Sequence, residues 1–147
     1  MEAKYTDYDL GMAAARAEGK PVMIDFTGFG CVNCRKMEAA VWTDQTVRDI
    51  LNDKYVLISL YVDDKTPLPE PVEVTDVDGT TRKLRTVGDK WSYLERLKIG
   101  ANTQPFYVLL DPATGKPLNG LRSYDEDVAA YIEFLETGLK NFSAIDK

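Results

Sequence analysis

Residues 55–62, YVLISLYV, narrow the possible folds more than any other stretch of this chain. Both parities of the run are apolar, so a strand built from it must be covered on both faces, as in a sheet flanked by helices. Residues 21–27, PVMIDFT, form a second run of this kind with one acid inside it. Between the two lie helical signals at 31–41 and 43–52, the latter capped by Thr43 or Asp44. A helical crossover of that length joins strands that pair in parallel. Further helices are expected at 8–20, closed by Gly19, and at 89–100, closed by Gly100. A last one is expected at 125–141, where Val128, Ile132, Leu135, Leu139 and Phe142 share a face. Residues 105–111 and, more weakly, 118–124 read as strands joined by a short turn, which makes that end of the sheet antiparallel. Residues 64–90 change character. A proline-rich piece precedes two alternating runs around Asp78-Gly79, the signal of an inserted hairpin, here carrying Arg82, Lys83 and Arg85. The order α-β-α-α-β-hairpin-α-β-β-α specifies an α/β sandwich around a mixed sheet, and 147 residues suit one domain.

The chemistry open to such a chain is limited by what it lacks. There is no histidine, which removes Ser-His-Asp and Cys-His catalysis and every imidazole zinc site. Two cysteines are too few for a four-thiolate site within one chain. A net charge of −6 offers no basic face to nucleic acid. No apolar run reaches the ~18–20 residues of a membrane helix. The first ten residues, MEAKYTDYDL, lack the basic and apolar segments of a secretory signal.

What remains is concentrated in residues 21–42, PVMIDFTGFGCVNCRKMEAAVW. Cys31 and Cys34, the only cysteines, follow a buried strand and open a helix. A helix N-terminus stabilises a thiolate and lowers a cysteine pKa from ~8.5 into the range ~3.5–7.5. Cys34 lies one turn further in, placed to resolve a mixed disulfide formed at Cys31. A structural staple is poorly motivated, because closing four residues removes little chain entropy. Asp25 shares a strand face with Met23 and Thr27. A carboxyl buried there without a cation would have a raised pKa and could take the proton of Cys34. Glu38, four residues past Cys34 and on the same helical face, would hold that thiol protonated until needed. Arg35 and Lys36 read as solvent-facing, though either could help stabilise a Cys31 thiolate, with Trp42 and Trp91 in the core. No metal ligand set is expected, and no prosthetic group beyond the Cys31–Cys34 dithiol. Two rivals stay open on the residues alone: a thiol peroxidase with Cys31 as sulfenate, and a C-x-x-C carrier of Cu(I) or a shared Zn(II).

The stretch VMIDFTGFGCVNCRKME, with an acid six residues before the first cysteine, resembles the strand, catalytic loop and helix of the thioredoxin family, and TQPFYVLLD resembles its later proline and strand. The likeness implies a three-layer α/β/α thioredoxin-like sandwich, a cis Pro105 beside Cys31, and a Gln104 backbone that pairs with an extended partner peptide. GKPVMIDF and CVNCRKMEAAVWTDQTV are similar, more narrowly, to the C-terminal periplasmic domains of the DsbD family of bacterial transmembrane thiol:disulfide interchange proteins, which also carry an acid at the position of Glu38. That likeness implies a disulfide reductase acting on protein thiols and disulfides. Electrons would arrive from a membrane domain and leave to periplasmic acceptors, cytochrome c maturation factors among them, through a monomeric domain. Two positions depart from the wider family. Gly30 stands where thioredoxins usually carry Trp, so that an aromatic wall of the site is either missing or supplied by Phe29, and Gln104 is polar where Thr, Val or Ile is common.

Overall fold

The computed structural model describes residues 3–145. In chain order its elements are α1 (Tyr8–Glu18), β1 (Val22–Thr27), α2 (Val32–Ala40), α3 (Gln45–Asp53), β2 (Val56–Tyr61), β3 (Pro67–Thr75), β4 (Thr81–Thr86), α4 (Val87–Ile99), β5 (Phe106–Leu110) and α5 (Val128–Ser143). The sheet order is β2-β1-β5, with β1 parallel to β2 and antiparallel to β5, the mixed sheet that the crossover and turn lengths require.

Alternation along the strands splits the core into two layers. Val22, Ile24 and Phe26 of β1 join Val56, Ile58 and Leu60 of β2 and Val108 and Leu110 of β5 under Met12 and Ala15 of α1 and Trp91 of α4. Met23, Leu57, Tyr107 and Leu109 face the other way, against Met37 of α2, Val47 and Leu51 of α3, and Tyr131 and Leu135 of α5. Asp25 and Thr27 have the parity of Met23, so they point into the layer that contains α2.

Two sequence expectations need correction. Residues 118–124 do not form a strand. The segment beside β5 makes only the isolated antiparallel bridges Tyr107↔Arg122 and Leu110↔Pro117. Pro117 has no N–H to give to a ladder, and the Asn119 side chain turns inward to donate to the Phe134 carbonyl at 3.1 Å, so the chain leaves the edge between the two bridges. The buried stripe of α5 is also rotated from the one expected. Its fully buried members are Tyr131, Phe134, Leu135 and Gly138, while Val128, Ile132, Leu139 and Phe142 are only partly buried. The cause is Gly138, where a Cβ would collide with Leu109 and Tyr55, so α5 lies on the sheet along its glycine side.

The inserted hairpin β3–β4 forms its own two-stranded antiparallel sheet, with Gly79 in its turn at φ +85°. It is fastened to α4 by the buried Asp76, whose carboxylate accepts from Arg96 Nε and Nη2 at 3.1 and 2.8 Å and pairs with Arg82 Nε at 2.9 Å. Arg82 is therefore committed within the hairpin, whereas Lys83 and Arg85 are exposed. Because β4 runs straight into α4 through a Thr86–Asp89 capping box, the hairpin is a rigid extension of that helix.

Candidate active site

β1 ends at Thr27, and three residues, Gly28-Phe29-Gly30, carry the chain to Cys31 at the N-cap of α2. Cys31 is extended at φ −84°, ψ 105°, and its Sγ accepts the Cys34 N–H at 3.1 Å, the capping contact usually made by Ser or Asp. Cys31 and Cys34 are joined as a disulfide with their Cα atoms 5.3 Å apart. Cys31 is partly exposed and Cys34 is 2% exposed. No acidic residue occupies the first turn of α2, so nothing there cancels the N–H groups and dipole that favour a Cys31 thiolate. Phe29 and Val32, both largely exposed, give the accessible sulfur an apolar rim.

The loop before Cys31 is held by a residue that sequence spacing does not reveal. Asp63, just past β2, accepts the Phe29 N–H at 2.8 Å and the Gly30 N–H at 3.0 Å. Its own position is fixed on both sides, Val62 N–H donating to the Thr27 carbonyl and Gly88 N–H to the Asp64 carbonyl, both at 2.9 Å. Partial desolvation opposes its ionisation, but the Gly30 and Phe29 donors outweigh it and hold Asp63 below its usual value. The Phe29 ring stacks on Tyr61, with ring centroids 4.0 Å apart. Asp63→Ala is expected to release both N–H groups, so that amide exchange at Phe29 and Gly30 accelerates roughly tenfold or more while exchange within β1 is unchanged. Equal protection in the two proteins would mean the loop is held by other contacts.

Asp25 lies at the centre of β1, opposite Ser59 of β2 and Tyr107 of β5 in register, and is 2% exposed. Ser59 Oγ–H donates to its Oδ2 at 2.9 Å. Burial pushes its pKa up to about 7, against the lowering pull of the Ser59 bond; the Glu38 charge raises it further and Arg35 lowers it. Arg35 is exposed, as expected, and its guanidinium also makes two local contacts. Its Nη2 donates to Thr27 Oγ1 at 3.1 Å and to Glu38 Oε2 at 2.8 Å. Glu38 is therefore paired, and its field acts on Asp25 below α2.

The β1–β5 register puts Phe106 opposite Phe26, so the residues before β5 lie at the sheet end where β1 delivers the cysteine loop. The Gln104–Pro105 bond is cis and Pro105 is buried. The Gln104 carboxamide, by contrast, turns inward and donates to Glu95 Oε1 at 2.9 Å. Four chain segments thus meet at one end of the sheet: 28–35 with the disulfide, 59–63 with Ser59 and Asp63, 104–105, and the strand carrying Asp25.

The sequence pattern of the thioredoxin-like family matches residues 3–112, which includes all of these segments. The chain belongs to the thioredoxin-like family. Over 52 residues this thioredoxin-like domain is 42% identical to the thiol:disulfide interchange protein DsbD of Ralstonia nicotianae, a match covering 35% of this chain and 9% of that protein. The aligned stretch thus spans less than a tenth of the length of the curated relatives it matches. Among solved structures its fold resembles that of the oxidoreductase DsbH, with a TM-score of 0.65 at 17% identity over 95% of this chain and 86% of the other. It likewise resembles the reduced C-terminal domain of Neisseria meningitidis DsbD, with a TM-score of 0.58 at 16% identity over 88% and 92% of the two chains. With its C-x-x-C pair at disulfide distance, the thioredoxin-like domain carries the dithiol arrangement that thiol–disulfide exchange requires. Ser59, Tyr61, Asp63 and Glu95 carried no signal in the sequence, since each acts on a residue remote from it along the chain.

Proposed function

We propose that this domain is a reductant that relays electrons from an upstream dithiol to disulfides of partner proteins. In its reduced form the Cys31 thiolate attacks one sulfur of a partner disulfide, and the partner's other sulfur leaves as a thiolate and is protonated. Cys34 then gives its proton to the Asp25 carboxylate and attacks Cys31 Sγ. The partner's second sulfur leaves and takes up a proton, so two electrons have passed to the partner and the Cys31–Cys34 disulfide is closed. Reduction by the upstream dithiol runs the same steps backward, with protonated Asp25 returning its proton to the departing Cys34. Glu38 supports the protonated form of Asp25, and the dithiol pair needs no further cofactor.

The observation that carries this reading is the stacking of roles at one site: a partly exposed N-capping Cys31, a buried Cys34, and under the same helix a buried acid with a pKa of about 7. An acid near neutrality can accept and return a proton at similar cost, as a two-way relay requires. The partner's peptide would lie across Phe29 and Gly30 and pair with the Gln104 backbone before Pro105. The likeness to DsbD proteins supports a periplasmic setting, a membrane electron donor, and acceptors that include cytochrome c maturation factors, with the domain acting as a monomer. The test is the Cys31–Cys34 reduction potential, from equilibration with thiol buffers and trapping of free thiols. A value near or below about −220 mV is expected; one near ~−120 mV would make the domain an oxidant and reverse the proposed direction.

A further inference from the structure

Glu95 is a buried titratable group that the relay chemistry does not use. It sits on the buried side of α4, is fully buried, and its Oε2 has no hydrogen-bond partner among the described residues. An aliphatic side chain would fill this place without the cost of burying a carboxyl. Among the described residues the side chain that hydrogen-bonds Glu95 is Gln104, through Oε1 at 2.9 Å, and the Thr103 N–H acts on the same carboxyl. Burial pushes Glu95 up to about 7, against the lowering pull of Gln104, Thr103 and Arg96, so a neutral carboxyl can persist there. Gln104, for its part, has an inward-turned side chain and a peptide N–H and C=O without backbone partners among the described residues. Unpaired groups before a strand, at the end of the sheet that carries a reactive sulfur, are what an extended peptide adds to.

We propose that Glu95 is a positioning residue for partner recognition: by gripping the Gln104 carboxamide from below, it holds the 103–105 backbone in the orientation that pairs with an incoming protein chain. This rests on the relay reading and adds a specificity device to it. A small disulfide has no peptide to pair and should be indifferent to Glu95, while a protein disulfide should not be.

The experiment is single-turnover reduction of insulin by the reduced domain, followed over a range of insulin concentrations, with a small aromatic disulfide in parallel. Glu95→Leu should raise the half-saturating insulin concentration tenfold or more, leave the limiting rate within twofold, and leave the small disulfide unaffected. Glu95→Gln keeps an acceptor for Gln104 and should restore wild-type half-saturation. Gln104→Leu should raise half-saturation as Glu95→Leu does, and it carries the test should Glu95→Leu not fold. Unchanged half-saturation in a folded Glu95→Leu protein would overturn the proposal, or in Gln104→Leu if Glu95→Leu is unfolded. So would equal losses on insulin and on the small disulfide, which would mean a structural role only. Failure of the relay reading has a different signature, insulin reduction that survives Cys31→Ser.

Discussion

Cys31→Ser is expected to abolish disulfide reduction, by on the order of a thousandfold or more, because a serine hydroxyl has no accessible anion with which to attack sulfur near neutral pH. Cys34→Ser should behave differently. The attack still occurs, but nothing resolves its product, so the domain should accumulate as a mixed disulfide with its partner, visible as a heavier band on a non-reducing gel that dithiothreitol removes. The asymmetry follows from where the two sulfurs lie. Cys31 caps α2 and is partly exposed within the apolar rim of Phe29 and Val32, whereas Cys34 is 2% exposed and faces the layer beneath. A partner sulfur in line with Cys31 is easily reached, while one in line with Cys34 would have to displace the first turn of α2. Arg35 is engaged by Thr27 and Glu38, and the N–H groups at the start of α2 favour a thiolate at Cys31. Trapping by Cys31→Ser, with free turnover in Cys34→Ser, would exchange the two roles.

The part of this site that was legible in the sequence is the part made by one strand-loop-helix unit. Asp25, Cys31, Cys34 and Glu38 fall within fourteen consecutive residues, and the periods of strand and helix suffice to aim them. That Asp25 is buried also follows from local pattern, because both parities of its strand are apolar. Asp63 is different. It stands 34 residues from the Phe29 N–H it accepts, and in sequence it is only an acid after a strand. Its importance depends on the parallel register that ends β1 and β2 together, which apolar runs imply but do not fix. Glu95 misleads for a similar reason, since an acid in a charged helix reads as solvated until the fold covers it. The failed strand at 118–124 shows the limit at the sheet edge. There Pro117 and Asn119 decide whether a ladder continues, and their effect depends on α5 lying close enough for Asn119 to find the Phe134 carbonyl.

Asp25→Asn should make the oxidised protein more stable at alkaline pH while crippling its chemistry. Folding raises the Asp25 pKa from 3.8 to about 7, so between these values the folded state holds a proton that the unfolded state has released. Stability from this group is therefore fully present below about pH 4 and is lost as pH rises through 7, the reverse of a salt-bridged carboxylate. At ~1.36 kcal/mol per pH unit the loss is on the order of 4 kcal/mol. Asparagine cannot ionise and still accepts from Ser59, so at pH 8 the variant should unfold at higher urea than the wild type, and the two should converge near pH 4. The convergence will not remove all pH dependence, because Glu95, also raised to about 7, gives a second loss in the same direction that Asp25→Asn leaves in place. Parallel urea-midpoint profiles for the two proteins between pH 4 and 8 would show that Asp25 does not titrate in this window. The kinetic consequence has the opposite sign. Without a base under Cys34, closure of the disulfide at pH 7 should slow by roughly 10²–10⁴-fold, and the mixed disulfide should accumulate although both cysteines are present. A variant that stabilises the fold and stalls the reaction at that intermediate places the cost of the buried acid in the proton transfer it performs, since packing alone would favour its replacement.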